Sequence, residues 1–216
     1  MKIMSLLPFF LLCAFTSYFS SATAEFVLDT AGNPLRNGGV YFLRPVITTG
    51  NGGGAELAAT GNETCPLTVV QSPSPFSNGQ PVKISSLFKI EHIYEGLILY
   101  IEFTYIPLCA PAPSFWTVVQ GEEGKGLSVK ITGYNDPIPG WFKIKSVSAA
   151  IGGYNLLFCP QNIPCLYVAI EQDTDGHRRF VVTQSEENRL WIQFERLASA
   201  SSATAHEPLV SLKSHV

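Results

Sequence analysis

The 216 residues carry no surplus of positive charge: 14 Lys and Arg stand against 17 Asp and Glu. A chain of that balance has no basic face with which to displace counterions from phosphates, so nucleic acid is not an expected partner. The common hydrolase patterns are missing as well, with neither a G-x-S-x-G nucleophile elbow nor an H-E-x-x-H zinc helix. Histidine is scarce: His206 and His215 fall close to the C-terminus, which leaves only His92 and His177, too few to nominate a catalytic triad. Asp173-Thr174-Asp175-Gly176 shares the opening of a calcium loop but lacks the later ligands, and reads as a hairpin turn ahead of Arg178-Arg179-Phe180. No cofactor, metal or catalytic residue is expected, and the chain is not read as an enzyme. Past the N-terminus there is no apolar run of the roughly 20 residues a membrane-spanning helix needs.

The N-terminus reads as a secretory signal peptide over residues 1–24. Lys2 supplies the positive start, Leu6 to Phe15 form an apolar run broken only by Pro8, and Ala22-Thr23-Ala24 offer small residues for cleavage. Its loss makes Glu25 the first residue and leaves 13 basic against 17 acidic groups, a net charge of −4. Five cysteines become four, since Cys13 goes with the leader. An even number in an oxidising compartment implies two disulfides with three connectivities open. Cys159 and Cys165, with Pro160 and Pro164 stiffening the interval, make a local clip the simplest choice, which pairs Cys65 with Cys109. Asn62-Glu63-Thr64 is an N-glycosylation triplet, which makes Asn62 a candidate surface position. At the other end Ala198 to Ala205 is too poor in large side chains to build a core. Residues 199–216 are expected to form a flexible tail, with Leu209-Val210-Ser211-Leu212 a candidate removable sorting segment, and residues 25–198 to form one domain.

Within that domain, short runs of Val, Ile, Phe and Tyr alternate with Gly, Pro, Asn and Asp clusters such as Gly32-Asn33-Pro34, Asn37-Gly38-Gly39 and Asp175-Gly176. The pattern predicts many short strands and tight turns, an all-β fold. Tyr41 to Val46, Phe88 to Ile93 and Phe142 to Val147 share an aromatic first, an aliphatic third and an aliphatic sixth residue. A second element, Thr68 to Gln71, Thr117 to Gln120 and Val168 to Glu171, follows each at a similar distance. Three copies of a unit of roughly 50 residues predict a pseudo-threefold structure.

Between the first two units lies Ser85-Ser86-Leu87-Phe88-Lys89-Ile90-Glu91. Lys89 is a basic residue between apolar neighbours, in a connection that sheet would anchor on both sides. In a flexible segment such a lysine marks a protease cleavage site; held rigid, the same chemistry makes an inhibitor. A Cys65–Cys109 pair would keep the two sides of a cut at Lys89 joined.

Several stretches carry a family resemblance: Val27-Leu28-Asp29 with Gly32-Asn33-Pro34-Leu35 and Asn37-Gly38-Gly39, then Cys65-Pro66-Leu67-Thr68-Val69-Val70-Gln71, Gly140-Trp141-Phe142 and Phe158-Cys159-Pro160. In that order they resemble the plant Kunitz-type (soybean trypsin inhibitor-like) family over nearly all of Phe26 to Leu197. The resemblance implies a β-trefoil of about 12 strands with disulfides Cys65–Cys109 and Cys159–Cys165, and a secreted or vacuolar monomer that inhibits trypsin-like serine proteases one-to-one. It places the reactive bond at Lys89–Ile90 and the loop over Ser85 to Glu91, with the Asn37 amide bracing the loop from behind. Two departures stand out: Leu87 replaces a proline common two residues before the basic residue, and Glu91 puts an acid where the best-known trypsin inhibitor has a base. The family also contains storage and ligand-binding members, and inhibitors of other protease classes that use other loops.

Overall fold

The computed structural model describes residues 24–46, 52–121, 126–134, 136–148 and 152–197. The expected signal peptide, up to residue 23, and the expected tail at 199–216 lie outside the described residues.

Twelve strands run along the described residues: β1 Gly39–Pro45, β2 Ala55–Ala58, β3 Thr68–Gln71, β4 Val82–Ser86, β5 Leu99–Phe103, β6 Trp116–Gln120, β7 Leu127–Ile131, β8 Gly140–Ser146, β9 Tyr154–Pro160, β10 Leu166–Gln172, β11 Arg178–Thr183 and β12 Trp191–Arg196. All pairings are antiparallel, and six strands close on themselves in the order β12, β1, β4, β5, β8, β9 and back to β12. Closure removes the unpaired edges that an open sheet of such apolar strands would expose. The other six form three hairpins, β2–β3, β6–β7 and β10–β11. These hairpins touch one another through β3–β7, β7–β11 and β11–β3 and cap the barrel. A six-stranded barrel capped by three hairpins is the β-trefoil.

The period-2 pattern explains which side chains turn inward. Along β5, Leu99, Ile101 and Phe103 are buried while Tyr100 and Glu102 lie half-buried between them. Tyr41, Leu43, Ile84, Phe142, Ile144, Leu156, Phe158, Ile192 and Phe194 do the same from the other barrel strands. Where barrel meets cap, the Trp116 ring lies 5.5 Å from Phe103, 6.1 Å from Phe142 and 5.8 Å from Phe180, the last two edge-on. Edge-to-face contacts of this kind add to plain burial.

The threefold organisation stands, but in a different phase from the sequence repeats. The units are β1–β4, β5–β8 and β9–β12. Tyr41 therefore opens unit one and Phe142 lies in the last strand of unit two, while Phe88 to Ile93 is not a strand but part of the connection between β4 and β5. Every barrel strand needs inward residues two apart, so the shared pattern marks barrel strands without saying which strand of the unit it marks.

Two disulfides join Cys65 to Cys109 and Cys159 to Cys165. The first links the β2–β3 hairpin loop to the β5–β6 connection across 44 residues of sequence. By loop-closure entropy, its removal in a Cys65→Ser/Cys109→Ser variant costs about 4 kcal/mol against about 2 kcal/mol for the shorter clip. Urea denaturation of the two double variants checks that order.

Candidate functional site: the connection between β4 and β5

β4 delivers the chain to the site already locked on both edges. Gly39, Val40 and Tyr41 pair with Ile84, Lys83 and Val82 on one side. On the other, Ser85 faces Tyr100 and Ser86 faces Leu99. Ser85 and Ser86 thus end a strand, while Leu87, Phe88 and Lys89 leave the sheet and are exposed, Leu87 at 69% and Phe88 at 53%. Ile90 is half-buried and Glu91 exposed again.

Beyond the bend the chain is pinned by the N-terminal segment rather than by a neighbouring strand. Ile93, fully buried, donates its amide to the Leu35 carbonyl at 2.8 Å and accepts from the Val27 amide at 3.0 Å. Bridges join Arg36 to His92 and Phe26 to Tyr94. The exposed Glu91 carboxylate lies 3.8 Å from His92 Nε2.

Asn37 sits behind the bend. Its amide nitrogen donates to the carbonyl oxygens of Phe88 and Ile90, each at 3.1 Å. Its side-chain oxygen accepts from the Ser86 amide at 2.8 Å, and its own backbone amide donates to the Glu91 carbonyl at 2.8 Å. One side chain therefore grips the backbone before and after Lys89. The Ile90 amide also donates to the Phe88 carbonyl at 2.9 Å, closing the bend over Lys89. Lys89 is exposed and enters no ion pair among the described residues.

The turn that aims Asn37 has its own supports. Gly38 has φ +77°, where a side chain is strained, and its amide donates to the Ile84 carbonyl at 2.7 Å. A Cβ on Gly39 would come within 2.7 Å of the Tyr41 ring and 2.9 Å of the Arg36 carbonyl. Tyr41, 1% exposed, reaches out of the barrel to accept the Arg36 amide at 2.8 Å. Sequence reasoning read Tyr41 and Ile93 only as positions of the repeat, and Val27 and Leu35 only as part of the motif that carries the family resemblance. The alternation of the N-terminal motif carried a signal for burial of Val27 and Leu35, and the repeat pattern one for Ile93.

A second polar cluster, missed by sequence reasoning, joins the β2–β3 hairpin loop to β7. Glu63, the middle residue of the glycosylation triplet, has a side chain only 11% exposed. Its carboxylate accepts from the Thr60 amide at 3.0 Å, the Thr68 hydroxyl at 2.8 Å, the Lys130 ammonium and the Tyr134 hydroxyl. Burial pushes its pKa up, but the bonds from Lys130, Tyr134, Thr60 and Thr68 together outweigh that and hold it below the ordinary 4.5. Burial and the adjoining carboxylate raise Tyr134, which stays a neutral donor.

A carboxyl whose folded pKa is depressed contributes stability that is complete above its unfolded pKa and disappears as pH falls through the folded value. As pH falls below about 4, Glu63→Gln is therefore expected to lose stability less steeply than the wild type. At neutral pH, Glu63→Ala strands a Lys130 side chain that is 15% exposed, at a cost of about 3 kcal/mol. Urea titrations at both pH values read the two effects.

Residues 27–196 match the family described as trypsin and protease inhibitor, of the legume Kunitz type. A Kunitz-type trypsin inhibitor of Glycine max is 42% identical over 200 residues, covering 89% of this chain and 96% of that protein. Trypsin inhibitor DE-3 of Erythrina variegata is 42% identical over 176 residues, covering 79% of this chain and 97% of that protein. Among solved structures, the soybean trypsin inhibitor in its orthorhombic complex with porcine pancreatic trypsin superimposes with a TM-score of 0.72 at 42% identity, over 81% of this chain and all of that one. The chain belongs to the Kunitz-type family of trypsin and protease inhibitors, proteins that block proteolytic enzymes and are not enzymes themselves.

Proposed function

We propose that this protein is a secreted or vacuolar inhibitor of trypsin-like serine endopeptidases, binding one enzyme per monomer as a substrate binds, with Lys89 in the primary specificity pocket. The observation that carries this reading is the hold of the Asn37 amide on the carbonyls of Phe88 and Ile90, with the lysine exposed between them. A trypsin-like pocket is deep and ends in a carboxylate, which suits a long cationic side chain. Phe88 and Leu87, both exposed, add apolar contact at the adjoining subsites.

The chemistry begins as a substrate's does, with attack of the enzyme's serine on the Lys89 carbonyl. Breaking the Lys89–Ile90 bond releases the Ile90 amine, and in a flexible peptide that amine would diffuse away before water hydrolyses the acyl-enzyme. Here the Ile90 carbonyl is bonded to Asn37, Ile93 is buried in a two-sided ladder, and Cys65–Cys109 ties the two sides together. The amine stays beside the acyl group at high effective concentration, so religation competes with hydrolysis. A loop already in its bound shape also loses little entropy on binding. Leu87 forgoes the rigidity of a proline at its position, and Glu91 adds an exposed negative charge two residues past Lys89; both bear on affinity rather than on mechanism.

Titration of active-site-counted trypsin with the purified protein tests the reading. Activity is expected to fall linearly to near zero at one equivalent. Trypsin that keeps full activity at several equivalents would favour a storage or ligand-binding protein, or an inhibitor of another protease class working through a different loop.

A further inference from the structure

A concavity outside the reactive loop lies beside Asn62. It encloses about 430 Å³, and around it stand Asn62, Gln120, Lys130, Tyr134, Asp173 and Arg179. That volume falls within the roughly 300–1,000 Å³ of small-ligand sites. Its charges are already matched: Lys130 is paired with Glu63, while Arg179 lies 3.1 Å from Glu171 and 3.7 Å from Asp173. An ionic ligand would find no uncompensated partner there. A neutral polyhydroxylated ligand would find both donors and acceptors, with Leu67 and Val119 supplying apolar wall. Asn62 is exposed at the edge of the same space and is the acceptor position of the triplet Asn62-Glu63-Thr64.

We infer that Asn62 carries an N-linked glycan and that the pocket seats its first N-acetylhexosamine. In the transfer, the Asn62 side-chain nitrogen bonds to the anomeric carbon of an oligosaccharide held on a lipid diphosphate. The diphosphate leaves with the bonding pair, and the nitrogen gives up a proton. The tether then supplies the sugar at millimolar effective concentration, so a site of weak intrinsic affinity is filled. Because Glu63 is folded in against Thr60, Thr68, Lys130 and Tyr134, the triplet is open to the transferase only before this loop closes. The inference rests on the secretory part of the proposed function and is independent of the inhibitory part.

The test uses the full chain made in a glycosylating eukaryotic host, beside Asn62→Gln and Gln120→Trp. Gln120 is exposed at the end of β6, so a Trp there fills the pocket without entering the core. The secreted wild type is expected to carry a glycan, by mass, that Asn62→Gln lacks. A peptide N-glycanase, which hydrolyses the bond between the Asn62 side chain and the first sugar, is expected to release the glycan from native wild type about tenfold more slowly than from native Gln120→Trp, and at equal rates from the denatured proteins. Secreted protein without a glycan at Asn62, or a native glycan removed as fast from wild type as from Gln120→Trp, overturns the inference. Trypsin titration of the same preparations reads the inhibitory function separately.

Discussion

Lys89→Ala is expected to raise the inhibition constant for trypsin by at least about a thousandfold, the effect of removing a central hot spot worth about 4 kcal/mol. The size follows from where the side chain goes. It is the one group proposed to occupy the deep pocket, and without it the pocket's carboxylate is desolvated against a methyl group. The backbone bracing does not depend on the lysine side chain, because Asn37 bonds to carbonyls of Phe88 and Ile90 and to the amide of Ser86. The variant should therefore fold with unchanged stability, which separates loss of contact from loss of scaffold. Lys89→Leu extends the argument: the same loop, with an apolar residue at its tip, is expected to lose trypsin and gain a chymotrypsin-like enzyme. Steady-state inhibition of both proteases by the three proteins reads the result. Trypsin inhibition that survives Lys89→Ala would place the contact in another loop.

Asn37→Ala is expected to weaken inhibition about ten- to hundredfold, and to do so by a different route. The substitution deletes the bonds to Phe88, Ile90 and Ser86 at once, while the bonds from the Asn37 backbone amide to Glu91 and from the Gly38 amide to Ile84 remain. The ends of the loop stay anchored and its centre loosens. The Ile90 amine then drifts from the acyl group more often, so hydrolysis gains on religation. The distinguishing observation is temporal: trypsin activity returns over time with Asn37→Ala as the variant is consumed, whereas Lys89→Ala binds weakly from the start and is not cut at residue 89. An Asn37→Ala protein that inhibits persistently would remove the side chain from the mechanism.

How far this was legible in the sequence differs by level. Strand alternation and turn residues were enough for an all-β fold, because burial on one face imposes period 2 directly on the residues, and the recurrence of two elements at matched spacing gave the threefold order. The phase of the repeats was not legible, since Phe88-x-Ile90 satisfies the same pattern as Tyr41-x-Leu43 while lying outside any strand. The bracing role of Asn37 came from the family resemblance; from the residues alone, Asn37-Gly38 reads as a turn and nothing more. Glu63 was opaque for a different reason. Its partners Lys130 and Tyr134 lie 67 and 71 residues away, and only the cap formed by the hairpins brings them together.

In the proposed mechanism the loop is cut and rejoined at one bond without leaving its scaffold. Prolonged incubation with a catalytic amount of trypsin at mildly acidic pH, followed by N-terminal sequencing, tests it most directly. The predicted result is a single new N-terminus, Ile90-Glu91-His92-Ile93, in a chain that stays whole until Cys65–Cys109 is reduced, and that trypsin partly reseals. A new N-terminus at any other bond, or digestion to small peptides, would contradict it.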